Sequence, residues 1–418
     1  MRLIWLLKRA MHGRLQFLVL CGITIMSVFT SYIYYNGRIN ALWSKYDSTH
    51  SKTRVRNSCH IDSDALIVYT QRQKRLQDVC LTNPPGSLRQ IYSHTGHKLS
   101  YCAVPKAGCT FWINVFRFLY NETDGVKVKH PNEIPRMITH YGKKKRSKPY
   151  SLQQARAFLP NTLRFLFSRD PYSRLWSAYV DKFLLPDYWC TEGLRIIARR
   201  SKSASSSRKK NCGNDITFEE LLNYVSLSTV KDLDPHWCPV SYMCDPCNFR
   251  PDVIGTMETF AKDTNFVLSQ VNLQHIMDNY DPKTHVVDEM VMLTEYNFQL
   301  LKRTNCKHCI KREDIALRLW KAFQINGYLP LKTEFPSEKL KDIDASTFID
   351  VARKTYRERP NSSAQIKIQR KQALVDAYKS VPSHIMQKLK SIYATDFLMF
   401  NYDPNPSWLK LNTSETRS

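Results

Sequence analysis

The sequence predicts an α/β fold built on a central parallel sheet, placed behind a single N-terminal transmembrane helix. Three stretches carry that expectation. Residues 15–35 hold no charged side chain, and their length matches the ~20 residues needed to cross ~30 Å of hydrocarbon. Tyr101–Val104 is a short apolar run that stops at Pro105 and gives way to apolar residues at helical spacing, namely Trp112, Val115, Phe116 and Leu119. Leu163–Phe167 is a second such run, followed by Asp170-Pro171 and then Leu175, Ala178, Tyr179 and Phe183. Asp is a good N-cap and Pro suits the first helical position, so a helix is expected from Pro171. Two strand–loop–helix units imply a ligand site outside the carboxyl edge of the sheet.

The chain in order divides as follows. Residues 1–14 carry Arg2, Lys8, Arg9 and Arg14, whereas Arg38 and Lys45 alone follow the span closely, which places the N-terminus in the cytoplasm and the rest in the secretory lumen. A cleaved signal peptide is the alternative, but its apolar core is ordinarily only about 7–15 residues. Residues 36–61 read as a polar stem. A lumenal domain is expected over 62–405 and a tail over 406–418. Asp62–Cys80 is expected to be an amphipathic helix with Leu66, Tyr69, Gln73, Leu76 and Cys80 inward. Three sequons, at Asn121, Asn361 and Asn412, fit a lumenal chain.

Charge points the same way. Lys and Arg total 62 against 37 Asp and Glu, a formal +25, which favours a polyanionic partner. A lumenal location makes that an acidic glycan and excludes nucleic acid. Two basic stretches, Lys143–Lys148 and Arg195–Lys210, read as solvated surface loops or as an electropositive rim that guides such a glycan. The oligomeric state is not legible.

The loop Pro105-Lys106-Ala107-Gly108-Cys109-Thr110-Phe111 sits where backbone N–H groups meet the positive end of a helix dipole, an arrangement suited to phosphate or sulfate. It is not a Walker loop, because Lys106 precedes Gly108 and Thr110. An ordinary strand-to-helix turn is the alternative if the stretch is taken alone. Arg169 at the second strand's end can grip a phosphate bidentately, and Ser177 adds a hydroxyl; a plain salt bridge from Arg169 is the competing account. Cys244-x-x-Cys247 and Cys306-x-x-Cys309 allow a four-cysteine zinc site, but their separation exceeds ribbon spacing and disulfides fit a lumenal protein better. Setting aside Cys21 and Cys109 leaves ten of the twelve cysteines, enough for five bridges.

Taken together, these stretches resemble the Golgi carbohydrate sulfotransferases, in particular the branch with chondroitin and dermatan 4-O-sulfotransferases and the natural-killer-epitope sulfotransferase. The similarity continues in Asp234-Pro235-His236-Trp237, Cys244-Asp245-Pro246-Cys247, Ile254–Thr259 and Ile392–Tyr402, in the family's order. Phe111 and Trp176 depart from the residues usual there. The resemblance implies a P-loop-like sulfotransferase fold and the donor PAPS, with its 5′-phosphosulfate on Pro105–Phe111. It also implies the donor's 3′-phosphate on Arg169, Asp170, Pro171, Tyr172, Ser173, Arg174, Leu175, Trp176 and Ser177. The expected reaction moves a sulfuryl group to a glycan hydroxyl, with the 4-O position of GalNAc as the expected acceptor, without a metal. Lys106 is the expected electrostatic catalyst. His236 is the first candidate base, with a packed structural histidine as its alternative, and Glu258 is the second. A heparan-type or N-glycan enzyme, or a glycan-binding protein without catalysis, are the other readings.

Overall fold

The computed structural model describes residues 63–81, 86–88, 90–199, 212–278, 280–281, 284–303 and 309–410. The expected membrane span, the stem and Asn412 lie outside the described residues, and no described helix is long and apolar enough to cross a membrane.

The expected helix at the start of the lumenal part is present as α1 (Ser63–Cys80). Tyr69 and Leu76 are buried as their spacing requires, but Leu66 is exposed, so the inward face begins one turn later than expected. Arg72 and Tyr69 dock this helix on Asp263, at 3.0 and 2.8 Å. Strands β1 (Ile91–His94) and β2 (Leu99–Cys102) follow as an antiparallel hairpin. Pairing of β2 stops at Cys102, two residues before the apolar run ends. Ala103 and Val104 remain fully buried as they turn into the loop.

Helix α2 (Cys109–Leu119) leaves that loop, and the short α3 (Arg136–Tyr141) lies further on. Strand β3 (Leu163–Ser168) pairs parallel with β2, Leu99 opposite Leu163 and Tyr101 opposite Phe165. Asp170 caps α4 (Pro171–Tyr179) as expected, accepting from the Ser173 amide at 2.8 Å. The chain then passes without a break into a π-helix, Val180–Leu184. A third parallel strand, β4 (Val253–Thr256), pairs with β3 and is followed by α5 (Phe260–Ser269). Its sequence, Val-Ile-Gly-Thr, was readable as a motif but too short to stand out as a strand. The sheet order is β1-β2-β3-β4, so three parallel strands release three loops at one edge.

Aromatic rings fill the space under that edge. Tyr101 stacks on Phe165 at 4.9 Å and Trp112 meets Phe165 at 4.3 Å. A second core, around Trp320, Phe323 and Phe348, lies in the later helices. Packing continues past residue 405, because the Trp408 ring meets Tyr172 at 5.8 Å. The basic run 195–210 is not all loop: Arg195–Ala198 complete a helix that begins at Glu192. Residues 200–211 lie outside the described residues.

Disulfides join Cys80 to Cys247, Cys102 to Cys244 and Cys212 to Cys309. These pairings overturn the zinc alternative, since both members of the first Cys-x-x-Cys are already bonded elsewhere; Cys306 lies outside the described residues. Cys190 is disulfide-bonded as well, and Cys59 lies outside the described residues. The buried Cys238 sulfur lies 3.7 Å from the Val230 carbonyl.

Peptide mapping without reduction should recover those three linkages. Alkylation of the native protein should label Cys109, which is partly exposed. Replacing Cys102 and Cys244 together by Ser should cost ~2–5 kcal/mol of stability, read from thermal or urea unfolding.

Candidate active site

The loop between β2 and α2 is shaped by two left-handed residues, Lys106 (φ 68°) and Gly108 (φ 77°). A Cβ at Gly108 would stand 2.3 Å from the Phe260 ring, so glycine is required there both for backbone and for space. The Ala107 amide is taken by the Val104 carbonyl at 3.2 Å, which removes it from the set of amides expected to meet an anion. Trp112 returns its N–H to Gly108 at 3.3 Å. The amides from Gly108 to Phe111 therefore face off the helix start, as the first amides of any helix do. No side chain caps that start. Thr110 and Phe111 are partly exposed there.

Three side chains from the β3–α4 unit hold this loop. Arg169 donates to the Lys106 carbonyl at 3.0 Å. Arg174 donates to the Pro105 carbonyl at 3.0 Å and, with its other nitrogens, to Cys238 and Pro235 at 2.7 Å each. Asp181 binds the Lys106 ammonium at 2.9 Å. Arg174 and Asp181 are seven residues apart, two turns, so one face of α4 and its π continuation supplies both contacts. Arg174 is buried and its guanidinium is committed to backbone carbonyls. It positions the loop, and it does not face an open site.

Asp181 is the centre of a larger cluster. Arg136, from α3, reaches both of its oxygens at 2.7 and 2.9 Å, and Lys182 stands 3.5 Å away while also binding Asp187. Asp187 in turn accepts from Tyr296 at 2.8 Å. The side chains of Lys106, Arg136, Lys182, Asp181 and Asp187 are at most 16% exposed. Three cations face two carboxylates in a poorly solvated place, and Asp234, which also feels the Lys182 charge, brings a third negative charge to the neighbourhood. Burial pulls the Lys106 pKa down and the Asp181 charge pushes it back up. Despite burial, the three cations hold the Asp181 carboxyl well below its usual range. The Arg136 Nε has no hydrogen-bond partner.

His236 belongs to the same neighbourhood. The Lys182 ammonium lies 4.8 Å from the centre of the Tyr188 ring, and the Tyr188 hydroxyl is 3.0 Å from His236 Nδ1. Asp234 accepts from the His236 amide at 2.9 Å and contacts Nδ1 at 2.7 Å. A carboxylate at Nδ1 fixes the proton there and leaves the lone pair on Nε2. Burial, aided by the Lys182 charge, lowers the imidazole pKa to about 4 against the raising pull of Asp234. The expected packing on Trp237 is loose, with ring centres 6.4 Å apart. Asp234 and Asp181 were missed as functional residues. Asp234 had a local signal, two residues before a candidate base.

Glu258 lies at the end of β4, exposed, and is contacted by the Tyr402 hydroxyl at 3.3 Å. It raises the pKa of Arg169 by proximity, while burial and the Arg370 charge lower it, to about 10. Glu258 thus stands on the Arg169 side of the site. Tyr172 and Leu175 are core residues, with the Tyr172 hydroxyl on the Pro404 carbonyl at 2.8 Å. Pro171 is buried at the start of α4 and Asp170 caps it through Ser173. Trp176 stacks on Tyr179 at 5.5 Å. Ser177 is partly exposed, and Cys109 is partly exposed beside Thr110. Among the described residues no His, Cys, Asp or Glu grouping of three or more is arranged for a metal.

Parallel strands whose loops present an uncapped helix start and buried cations define a protein that handles anionic phosphoryl or sulfuryl groups. Residues 89–324 match the profile of the sulfotransferase family. Carbohydrate sulfotransferase 11 of Danio rerio is 31% identical over 315 residues, covering 71% of this chain and 85% of the relative. The Mus musculus carbohydrate sulfotransferase 11 is 30% identical over 54% of this chain and 69% of its own. Carbohydrate sulfotransferase 14 of Homo sapiens is 31% identical over 50% of this chain and 57% of its own. No solved structure matches. The chain belongs to the carbohydrate sulfotransferase family.

Gly108→Ala should cost ~2–4 kcal/mol, from the left-handed backbone and the clash with Phe260. Phe260→Leu gives the new methyl room, so the double variant should lose less than the sum of the singles in a urea-unfolding cycle.

Proposed function

We propose that the chain is a PAPS-dependent carbohydrate O-sulfotransferase that modifies a sugar hydroxyl of a glycosaminoglycan or related glycan. The observation that carries the reading is the Lys106 ammonium, held by Asp181 beside an uncapped helix start, a setting that favours an anion at the Lys106 loop. The residues fit the donor: the amides of Gly108 to Phe111, the Thr110 hydroxyl and Lys106 would hold the 5′-phosphosulfate end. Arg169 and Ser177 would hold the 3′-phosphate, with Arg174 and Asp170 shaping the loops beneath. When bound, PAPS supplies a sulfuryl group activated on a phosphate anhydride. Lys106 brings positive charge to where negative charge grows on the departing phosphate oxygen. His236 Nε2 receives the acceptor hydroxyl's proton, its tautomer set by Asp234. This arrangement favours His236 over Glu258 as the base.

The acceptor we infer is chondroitin or dermatan, at the 4-O position of GalNAc; the support is the resemblance in 234–259 and at the C-terminus. We infer a Golgi, single-pass type II protein with the anchor at 15–35, the stem at 36–61 and the catalytic domain lumenal from residue 62. Buried disulfides favour an oxidising compartment. Asn121 is exposed in a turn, which suits a glycan, whereas the Asn361 amide donates to the Gly327 carbonyl at 2.9 Å.

The full-length chain, incubated with radiolabelled PAPS and desulfated chondroitin, dermatan, heparosan and neutral N-glycans, tests the reading. Label should enter chondroitin or dermatan, and Lys106→Ala and Arg169→Ala should each abolish transfer. No label on any glycan, with no binding of 3′-phosphoadenosine 5′-phosphate, refutes it.

Two pH profiles examine the roles. Asp181 raises the Lys106 pKa, so Asp181→Asn lets the ammonium lose its proton at lower pH. The alkaline limb of kcat should move toward acid, and Asp181→Glu should restore part of it. For His236 the reactive form is neutral, so kcat should be flat near neutrality and fall only as pH approaches about 4. Asp234→Asn should lower kcat by ~10²–10⁴ through the wrong tautomer, with little change in donor KM.

A further inference from the structure

The lysine-rich loop after α3 is a built surface. Two acids from the turn that follows α2 accept its backbone amides. Glu122 accepts from Lys145, Arg146 and Ser147 at 3.3, 2.8 and 3.2 Å, and also from the Ser147 hydroxyl. Asp124 accepts from the Lys143 amide at 3.1 Å. The acids hydrogen-bond the loop's backbone, Asp124 also pairing with Arg117 at 3.3 Å, and among the described residues neither forms an ion pair with a lysine of the loop. Lys143, Lys145, Arg146 and Lys148 are exposed. No ion pair among the described residues involves Lys143, Lys145 or Lys148. Below the loop the Arg117 guanidinium is buried, donating to the Lys143 carbonyl at 3.2 Å, with its Nε and Nη1 lacking partners. Exposed Lys127 and Lys129 come from the same turn, and the turn lines a groove of about 540 Å³ with Phe118, Thr123 and Lys127 in its wall.

Position ties this surface to the site. Helix α3 starts with Arg136, bound to Asp181, and ends one residue before Gly142. Six helical residues span roughly 9 Å, so the basic loop begins about that far along the helix axis from the backbone of Arg136.

We propose that the clipped loop 143–148, with Lys127 and Lys129, is a secondary binding site for a linear polyanionic glycan, gripping acceptor residues several sugars away from the one being modified. The inference deepens the function proposed above and rests on it. It makes the enzyme length-selective: a polymer gains from the loop, and a short acceptor that fills only the catalytic site does not. The grip depends on order as well as charge, because Glu122 holds the ammonium groups on one rigid frame.

The test uses the full-length protein and two acceptors, polymeric desulfated chondroitin and a chondroitin hexasaccharide, together with retention on immobilised chondroitin sulfate, which needs no turnover. Lys143→Gln, Lys145→Gln and Lys148→Gln combined should raise the polymer KM ~10-fold, leave the hexasaccharide KM and kcat unchanged, and lower the eluting salt concentration. Glu122→Ala is the sharper variant. It adds one net positive charge yet unfastens the loop, so polymer KM should rise ~3–10-fold, whereas charge alone would make it fall. Both variants keep the Asn121 sequon. Equal KM changes on both acceptors, or unchanged retention of the lysine variant, overturn the proposal, as does tighter polymer binding by Glu122→Ala. If no acceptor is sulfated but retention still falls in both variants, the glycan site stands and the transferase reading fails. The lysine variant, wholly on the surface, keeps the test sound should Glu122→Ala fold poorly.

Discussion

One buried carboxylate organises the catalytic edge. Asp181 gathers Lys106 from the first loop, Arg136 from α3 and Lys182 from its own π-helix. Without it, three cations would be crowded together away from water, and breaking such a buried pair costs ~3–5 kcal/mol. Its presence has a chemical consequence as well. It keeps the Lys106 ammonium charged against burial and holds it at a fixed place. The π-helix matters here, since inserting one residue per turn changes which side chains face inward. Asp181 and Lys182 are thereby both buried within one turn.

The rest of the frame is built from backbone carbonyls and a few charged side chains that serve them. Arg174 ties the Pro105–Lys106 loop to the 235–238 segment, and so links the loop that bears Lys106 to the one that bears His236. The chain's C-terminal part secures the same segment from the other side. Asp396 accepts from the amides of Val240 and Ser241 at 2.7 Å each, and Tyr393 donates to the Trp237 carbonyl. Charge-assisted bonds of this kind contribute ~1.5–3 kcal/mol each. They are also directional, which explains why residues so far apart in sequence can place an imidazole and an ammonium in one network.

Much of this was legible beforehand, for local reasons. The two apolar runs, the Asp170-Pro171 helix start and the glycine at 108 each reflect a constraint acting within a few residues. Asp181, Arg136 and Lys182 were not legible, because a charged residue reads as solvated until the fold buries it. Arg174 was misread in a related way: inside a motif of phosphate-handling residues an arginine looks like a ligand, yet its fork here is filled by three carbonyls. Strand β4 was hidden by its shortness, and the β1–β2 hairpin by a turn whose left-handed residue is Lys98 and not glycine.

The two halves of the proposed chemistry impose opposite demands on protonation, and the structure meets them with one charge distribution. Lys106 must stay charged to act on a leaving oxygen, so it needs a carboxylate at contact distance. His236 must stay neutral to accept a proton, so it needs burial and a cation nearby. Lys182 serves the second demand through its influence on His236 while its own charge is balanced by Asp181 and Asp187. Moving the carboxylate of Asp181 toward His236 would favour protonation of the base, and moving Lys182 toward Lys106 would favour loss of the ammonium's proton. In the reading proposed above, the cluster's three cations are placed so that one of them, Lys106, meets an anion while the other two fix its carboxylate partner.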